Sequence, residues 1–378
     1  MVKSNLFNLL GNGKETMKVK RKLSGLLLCG ALCTGLMPLT ALAEETPEIW
    51  IQGVNILADE DHRVDCGDGF ASYDSDSGVL TLNNAAITKP SVGQDPSDIK
   101  NNSAIVCDYG TDLTIHLVGT NTIPEEAGLA GIFTGGDITV TGDGKDSSSL
   151  KIATPREFSF YCDGDMRIEN VTMDMDSPNT MNGGGIHCGT VLSIRNSSVT
   201  IESGKSGIQS SSGYQWETEA SVENSYLKVT SAGAEGFFGT GDVTVTGSEV
   251  ELYAQAGTAE DYNNALYTDG ALILTGSSKL TASSVDSAVL VANLAVQDSE
   301  LTATSEKYDG VYAWESIRVS GESQVTAQGG TAYAAGIARV PVLEAGKRRT
   351  AAERRLGDPG HGNAAHSASR QSAGLPVL

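Results

Sequence analysis

The sequence predicts an all-β protein, a single-stranded parallel β-solenoid of about ten coils with an N-terminal cap, and three observations predict it. A small residue followed by an apolar one returns from Ala104-Ile105 and Gly131-Ile132 through to Gly310-Val311 and Gly336-Ile337, at intervals of 22–29 residues. Behind each pair comes an alternating strand, as in Leu113-Thr114-Ile115, Ile138-Thr139-Val140 and Val243-Thr244-Val245. A turn and a third strand follow, and the turn carries Asn196, Asn224, Gly247, Asp298 or Gly321, residue types that tolerate a left-handed backbone. No stretch has helical periodicity. A three-strand coil is too thin to bury its own apolar face, but a second coil stacked about 4.8 Å above it supplies hydrogen-bond partners and a continuous core. A β-sandwich also has short strands at close spacing, but not this column-by-column register.

The elements follow in chain order. Residues 1–43 read as a signal peptide with an upstream extension, 1–16, before a start at Met17. Lys18, Lys20, Arg21 and Lys22 form the positive region, Leu23 to Leu42 the apolar one, and Ala41-Leu42-Ala43 the cleavage site. Gly25, Gly30, Gly35 and Pro38 interrupt the apolar run, and no later segment is apolar for the roughly 18 residues a membrane span needs. The expected location is therefore secreted, extracellular or cell-wall associated. Residues 44–103 are assigned to the N-terminal cap and first coil, because a tube exposes apolar core and strand edges at its ends. Residues 104–338 form the parallel β-helix. From 339 to 378 strand periodicity stops, and a disordered basic tail is expected. Its reversal of charge raises the alternative of a frame-shifted end.

Charge narrows the partners. Residues 44–338 carry 13 Lys+Arg against 43 Asp+Glu, a net −30, whereas residues 339–378 carry +4. So acidic a body repels nucleic acid, whose binding needs Lys and Arg to displace phosphate counterions. It suits a soluble surface protein, expected to be a monomer, and offers carboxylates to a hard cation such as calcium.

The motif Trp50-Ile51-Gln52-Gly53, followed by Gly67-Asp68-Gly69, Ser72-Tyr73-Asp74 and Leu80-Thr81-Leu82-Asn83-Asn84-Ala85, resembles the opening of a secreted bacterial carbohydrate-binding β-helix family. The units Gly131–Val140 and Gly236–Val245 resemble that family's coil, and the likeness spans about residues 48–338. It implies a right-handed parallel β-helix of pectate-lyase-like fold. It also implies calcium held by acidic side chains, and binding of pectin-like or cellulosic polysaccharide without cleavage.

The residue after each small–apolar pair points outward. Phe133, Tyr161, Phe238, Tyr267 and Tyr312 stand in that column with His187, Gln209 and Leu290. They read either as a sugar-binding face or as an aromatic ladder that only stabilises neighbouring strands. The next column holds Cys107, Cys162 and Cys188, read either as a disulfide between neighbouring coils or as buried free thiols whose parallel Cβ atoms disfavour the bond. Asp163 with Asp165, and Asp174 with Asp176, are the candidate calcium ligands, the alternative being a solvated face.

No catalytic residue is assigned. The body has only His62, His116 and His187 and lacks nucleophile-elbow, zinc-protease and phosphate-loop motifs. A calcium-dependent lyase would draw on Arg167 beside Asp163 and Asp165, with Arg195 on the next coil, although a cross-strand ion pair accounts for the same residues. The expectation is a carbohydrate-binding protein, with a lyase of the same fold and a structural adhesin or spacer as alternatives.

Overall fold

The computed structural model describes residues 48–91, 102–107, 110–154, 156–178, 183–211, 218–255, 263–330 and the backbone of 337–338. The expected signal segment, the basic tail and Gly336 lie outside the described residues. Every long ladder of strands is parallel and in register, as a β-solenoid requires, and three ladders run along the tube.

Ladder A stacks Ser103–Cys107, Ala130–Thr134, Phe160–Cys162, Ile186–Cys188, Ile208–Ser210 and Phe237–Gly239. It continues through the first halves of Leu266–Thr275, Val289–Gln297 and Val311–Ser320 to Ile337–Ala338. Ladder B runs from Val79–Asn83 through Ile138–Gly142, Met166–Glu169, Val191–Arg195, Glu219–Glu223 and Val243–Thr246 to the second halves of those long strands. Ladder C begins in the second half of Leu113–Ile123 and ends at Gln324–Gln328. The three-strand coil is thus complete from Ser103 to Gln328, and among the described residues the tenth unit is represented by Ile337–Ala338. At the other end Arg63–Cys66, Gly69–Asp74 and Val79–Asn83 pair antiparallel, and Ile49–Ile51 lies antiparallel on Ser103–Cys107, so the first rungs are covered.

Alternation sends one set of side chains inward. In ladder A the inward column is Ile132, Phe160, Ile186, Ile208, Phe237, Leu266, Val289 and Val311, all buried. The small residue of the repeat has a steric cause. A Cβ on Gly207 would stand 2.0 Å from Val229 Cγ1 and 2.5 Å from the carbonyl oxygen of Gly236 on the next coil.

The corner between ladders B and C sets the shape. Asn84, Gly119, Asn170, Asn196, Asn224, Gly247, Gly276, Asp298 and Gly321 occupy it with φ between 46° and 68°. That region disfavours side chains other than Gly, Asn and Asp. Next to these residues runs a relay of buried serines. The N–H groups of Ser197, Ser225, Ser248, Ser278 and Ser299 each donate to the hydroxyl of the serine one coil further on, at 3.0–3.4 Å. Each hydroxyl donates back to a carbonyl just before its own corner, as Ser248 does to Thr246. Donors that the sharp bend takes out of the ladder are thereby satisfied.

Ser248→Ala leaves the Ser225 N–H without its acceptor in a buried corner, and should cost about 1–3 kcal/mol of stability. The exposed substitution Glu202→Gln on ladder C should stay within about 0.5 kcal/mol. Equilibrium denaturation of the two variants measures the difference, and equal midpoints would show the relay to be incidental.

Candidate functional site

Register governs the outward column of ladder A as well. Phe133, Tyr161, His187, Gln209, Phe238, Tyr267, Leu290 and Tyr312 lie directly above one another. Rings so placed stack face to face. Phe133 and Tyr161 have centroids 5.2 Å apart at 12°, Tyr161 and His187 4.4 Å at 21°, and Phe238 and Tyr267 5.4 Å at 7°. Gln209 divides the column into two runs of different character.

The N-terminal run is closed on itself. Phe133 is only 2 % exposed. Phe158 leans over the stack, 6.4 Å from Tyr161 and 5.5 Å from His187. Room for that ring comes from Gly184, where a Cβ would meet it at 2.1 Å. Burial pushes the His187 imidazole below its usual range, against the upward pull of Asp163 and a hydrogen bond with Gln209. Its buried Nδ1 has no hydrogen-bond partner.

The C-terminal run is more open, with Phe238, Tyr267 and Tyr312 half-buried. Leu290 interrupts the rings, but the chain restores them from the side. Between the ladder A and ladder B parts of Val311–Ser320 stand Trp314 and Glu315, in step with Asp269 and Gly270 two coils earlier, whereas the Leu290 coil is one residue shorter and has only Ala292 there. The Trp314 ring comes within 6.4 Å of Tyr267, tilted by 33°, and spans the rung of Leu290. Polar groups line the same edge. The Tyr267 hydroxyl donates to Asp269 at 2.8 Å, and the Asn293 amide donates to Glu315 at 2.8 Å while accepting from Ser316 at 2.5 Å. Just around this edge a groove of about 400 Å³ follows ladder B past Ile273, Ala295, Gln297 and Arg318. Trp314 was not legible from the sequence, because the edge column it shares with Asp163, Asp269 and Ala292 carries no recurring residue type.

The remaining predicted residues separate. Asp163 and Asp165 sit at the corner between ladders A and B, whereas Asp174 and Asp176 lie along the ladder C strand Thr172–Ser177. Asp165 accepts from Arg167 at 2.7 Å and from the Thr190 hydroxyl at 2.5 Å, and its N–H donates to Asp137 at 2.8 Å. Asp174 pairs with Lys151 at 3.2 Å. Each pair thus has one cationic neighbour, Arg167 beside Asp165 and Lys151 beside Asp174. Among the described residues no three His, Cys, Asp or Glu side chains converge as metal ligands. Arg195 pairs with Glu223 at 3.1 Å. Cys162 and Cys188 stand in register as buried free thiols. Burial pushes them up to about 12 and about 11.

A family model described as a carbohydrate-binding domain-containing protein matches residues 69–321, well over half of the chain. The chain belongs to that family. No curated protein and no solved structure matches it. The family region begins at the cap hairpin strand Gly69–Asp74 and ends at the corner residue Gly321, so the carbohydrate-binding domain contains both aromatic runs.

Because burial lowers His187, the unfolded chain binds its proton more readily than the folded one. Stability from this group is present above its ordinary value of 6.5 and is lost as pH falls through and below it. His187→Phe keeps the stack and removes the titration. Urea midpoints measured across that window should slope less steeply with pH in the variant, and an unchanged slope would contradict the assignment.

Proposed function

We propose that the protein binds an extended polysaccharide along the tube axis, without cleaving it, on the strip formed by Phe238, Tyr267, Trp314 and Tyr312. The observation that carries this reading is that the Trp314 ring reaches Tyr267 across the ringless rung of Leu290. A ladder that served only strand pairing has no need of a ring from the neighbouring column laid across that gap. A file of rings with polar groups along one edge matches the alternating apolar faces and hydroxyl rims of a sugar chain. Aromatic anchors of this kind carry most of the energy in a binding surface.

Binding without turnover is supported by the state of the residues a lyase would need. Arg167 and Arg195 are held in ion pairs with Asp165 and Glu223, and His187 is half-buried within a stack. Export, read from residues 17–43, would place the strip outside the cell, where pectin-like or cellulosic chains are the polymers that the resemblance suggests. Calcium is part of the test rather than of the strip, since the strip takes no metal ligand from Asp163, Asp165, Asp174 or Asp176.

Affinity electrophoresis of the full chain against a panel of soluble polysaccharides, with and without added calcium, tests this. Trp314→Ala and Tyr267→Ala should each weaken binding about tenfold or more, the loss expected of a central aromatic anchor. Phe133→Leu should leave it unchanged. Wild-type binding by both strip variants, or ultraviolet absorbance from an unsaturated product, would overturn the reading.

A further inference from the structure

The same strip has a chemical bias that the family description does not contain, and it deepens the binding function proposed above. We propose that its polysaccharide carries ammonium groups: an amino-sugar polymer with free amines.

Rings and carboxylates go together, coil by coil. The coil of Phe238 has Asp242 at the edge between ladders A and B, the coil of Tyr267 has Asp269, and the coil of Tyr312 and Trp314 has Glu315, all exposed. The coil of Leu290, which lacks a ring, also lacks the acid and has Ala292 and Asn293 there. The three carboxylates are oriented by hydrogen bonds from Ala271 N–H, the Tyr267 hydroxyl and the Asn293 amide. A carboxylate has about four lone-pair sites, so each keeps acceptors for a ligand.

Positive charge is scarce nearby. Among the described residues 237–330 there are three Lys or Arg against eleven Asp or Glu. Lys279 pairs with Glu249 on ladder C at 3.1 Å, and Lys307 pairs with Asp286 at 3.5 Å. Arg318 projects from the adjoining face of ladder B. A polyuronate would bring carboxylates against this edge, and a neutral glucan would use it only as a set of hydroxyl acceptors, leaving its charge unanswered. An ammonium group gains from both features, from the carboxylate by charge complementarity and from a Trp or Tyr face by cation–π attraction.

The experiment compares a glucosamine oligomer with the same oligomer N-acetylated, in mildly acidic low-salt buffer, by calorimetry on the full chain. Polygalacturonate and a cello-oligosaccharide complete the panel. The amine form should bind at least tenfold more tightly than the acetylated form, and the preference should shrink as salt is added. The double variant Asp269→Asn/Glu315→Gln should lose most of that preference while still binding the acetylated form. Glu202→Gln/Glu300→Gln, the same charge change on exposed ladder C positions, should keep it. Equal affinity for the two forms, tighter binding of polygalacturonate or cello-oligosaccharide, or an equal loss in the ladder C variant would overturn the amine assignment and leave carbohydrate binding standing. Absence of binding to every saccharide would overturn both.

Discussion

The tube depends on one backbone condition: each coil must come back to the point above which it started. Between coils the strands hydrogen-bond as ordinary parallel ladders, and these cannot slip by a residue without turning the apolar column outward. The bend from ladder B to ladder C is the hard part. A left-handed residue there costs roughly 1–2 kcal/mol unless it is Gly, or Asn or Asp with local hydrogen bonds. From Asn84 to Gly321 the chain places those types at these corners, with Ser277 beside Gly276 as the one serine in the same region among the described residues. The buried serine relay then passes one N–H···O contact from coil to coil, so each corner fixes the height of the next.

Strict register has a consequence for surfaces. When equivalent residues lie directly over one another, aromatic rings spend their faces on each other, as Phe133, Tyr161 and His187 do. A regular solenoid therefore consumes the very faces a sugar ring would use. In the binding mode proposed above, recognition would come from departures from regularity. Here these are the ringless, one-residue-shorter coil of Leu290 and the Trp314 ring that crosses it. The N-terminal run has no such departure, and it is further sealed by Phe158 over Gly184. Two stretches of one column, alike in composition, thus differ in what they leave available.

The repeating part of this arrangement was legible in the sequence because it repeats. The small–apolar pair, the alternating second strand and the Asn, Gly or Asp corner each recur at one place per coil, and each has a local steric cause. Cys162 beside Cys188 was legible for the same reason, and parallel Cβ vectors left the thiols apart. What repeats nowhere could not be read by columns. Trp314 lies at the edge between ladders A and B, where residue types do not recur, and Phe158 lies in a connection whose contact with Gly184 joins separate coils. The serine relay was in plain view at Asn196-Ser197 and Asn224-Ser225, but its hydrogen bonds run between coils and leave no mark on composition. Asp163 with Asp165 and Asp174 with Asp176 share the same spacing, yet one pair is at a corner and the other on a strand, a difference that spacing alone does not record.

Charge obeys register too. Stacking puts equivalent side chains about 4.8 Å apart, a distance at which two like charges in water repel by roughly 1 kcal/mol. On ladders B and C the chain answers with opposite charges on successive rungs, as at Lys151 and Asp174, Arg195 and Glu223, and Glu249 and Lys279. Where acids stack at the edge between ladders A and B near the N-terminal end, they become acceptors for the backbone. Asp112 takes the Asp137 N–H and Asp137 takes that of Asp165, whose own carboxylate has Arg167 beside it. Along the ringed C-terminal coils that compensation is thinner. Asp269 and Glu315 receive only neutral donors in the hydrogen bonds they make, from a phenol and an amide. A fold that balances charge rung by rung elsewhere keeps a residual negative edge beside these half-buried rings, and the ammonium-bearing polymer proposed above would recover the free energy of that imbalance by lying along it.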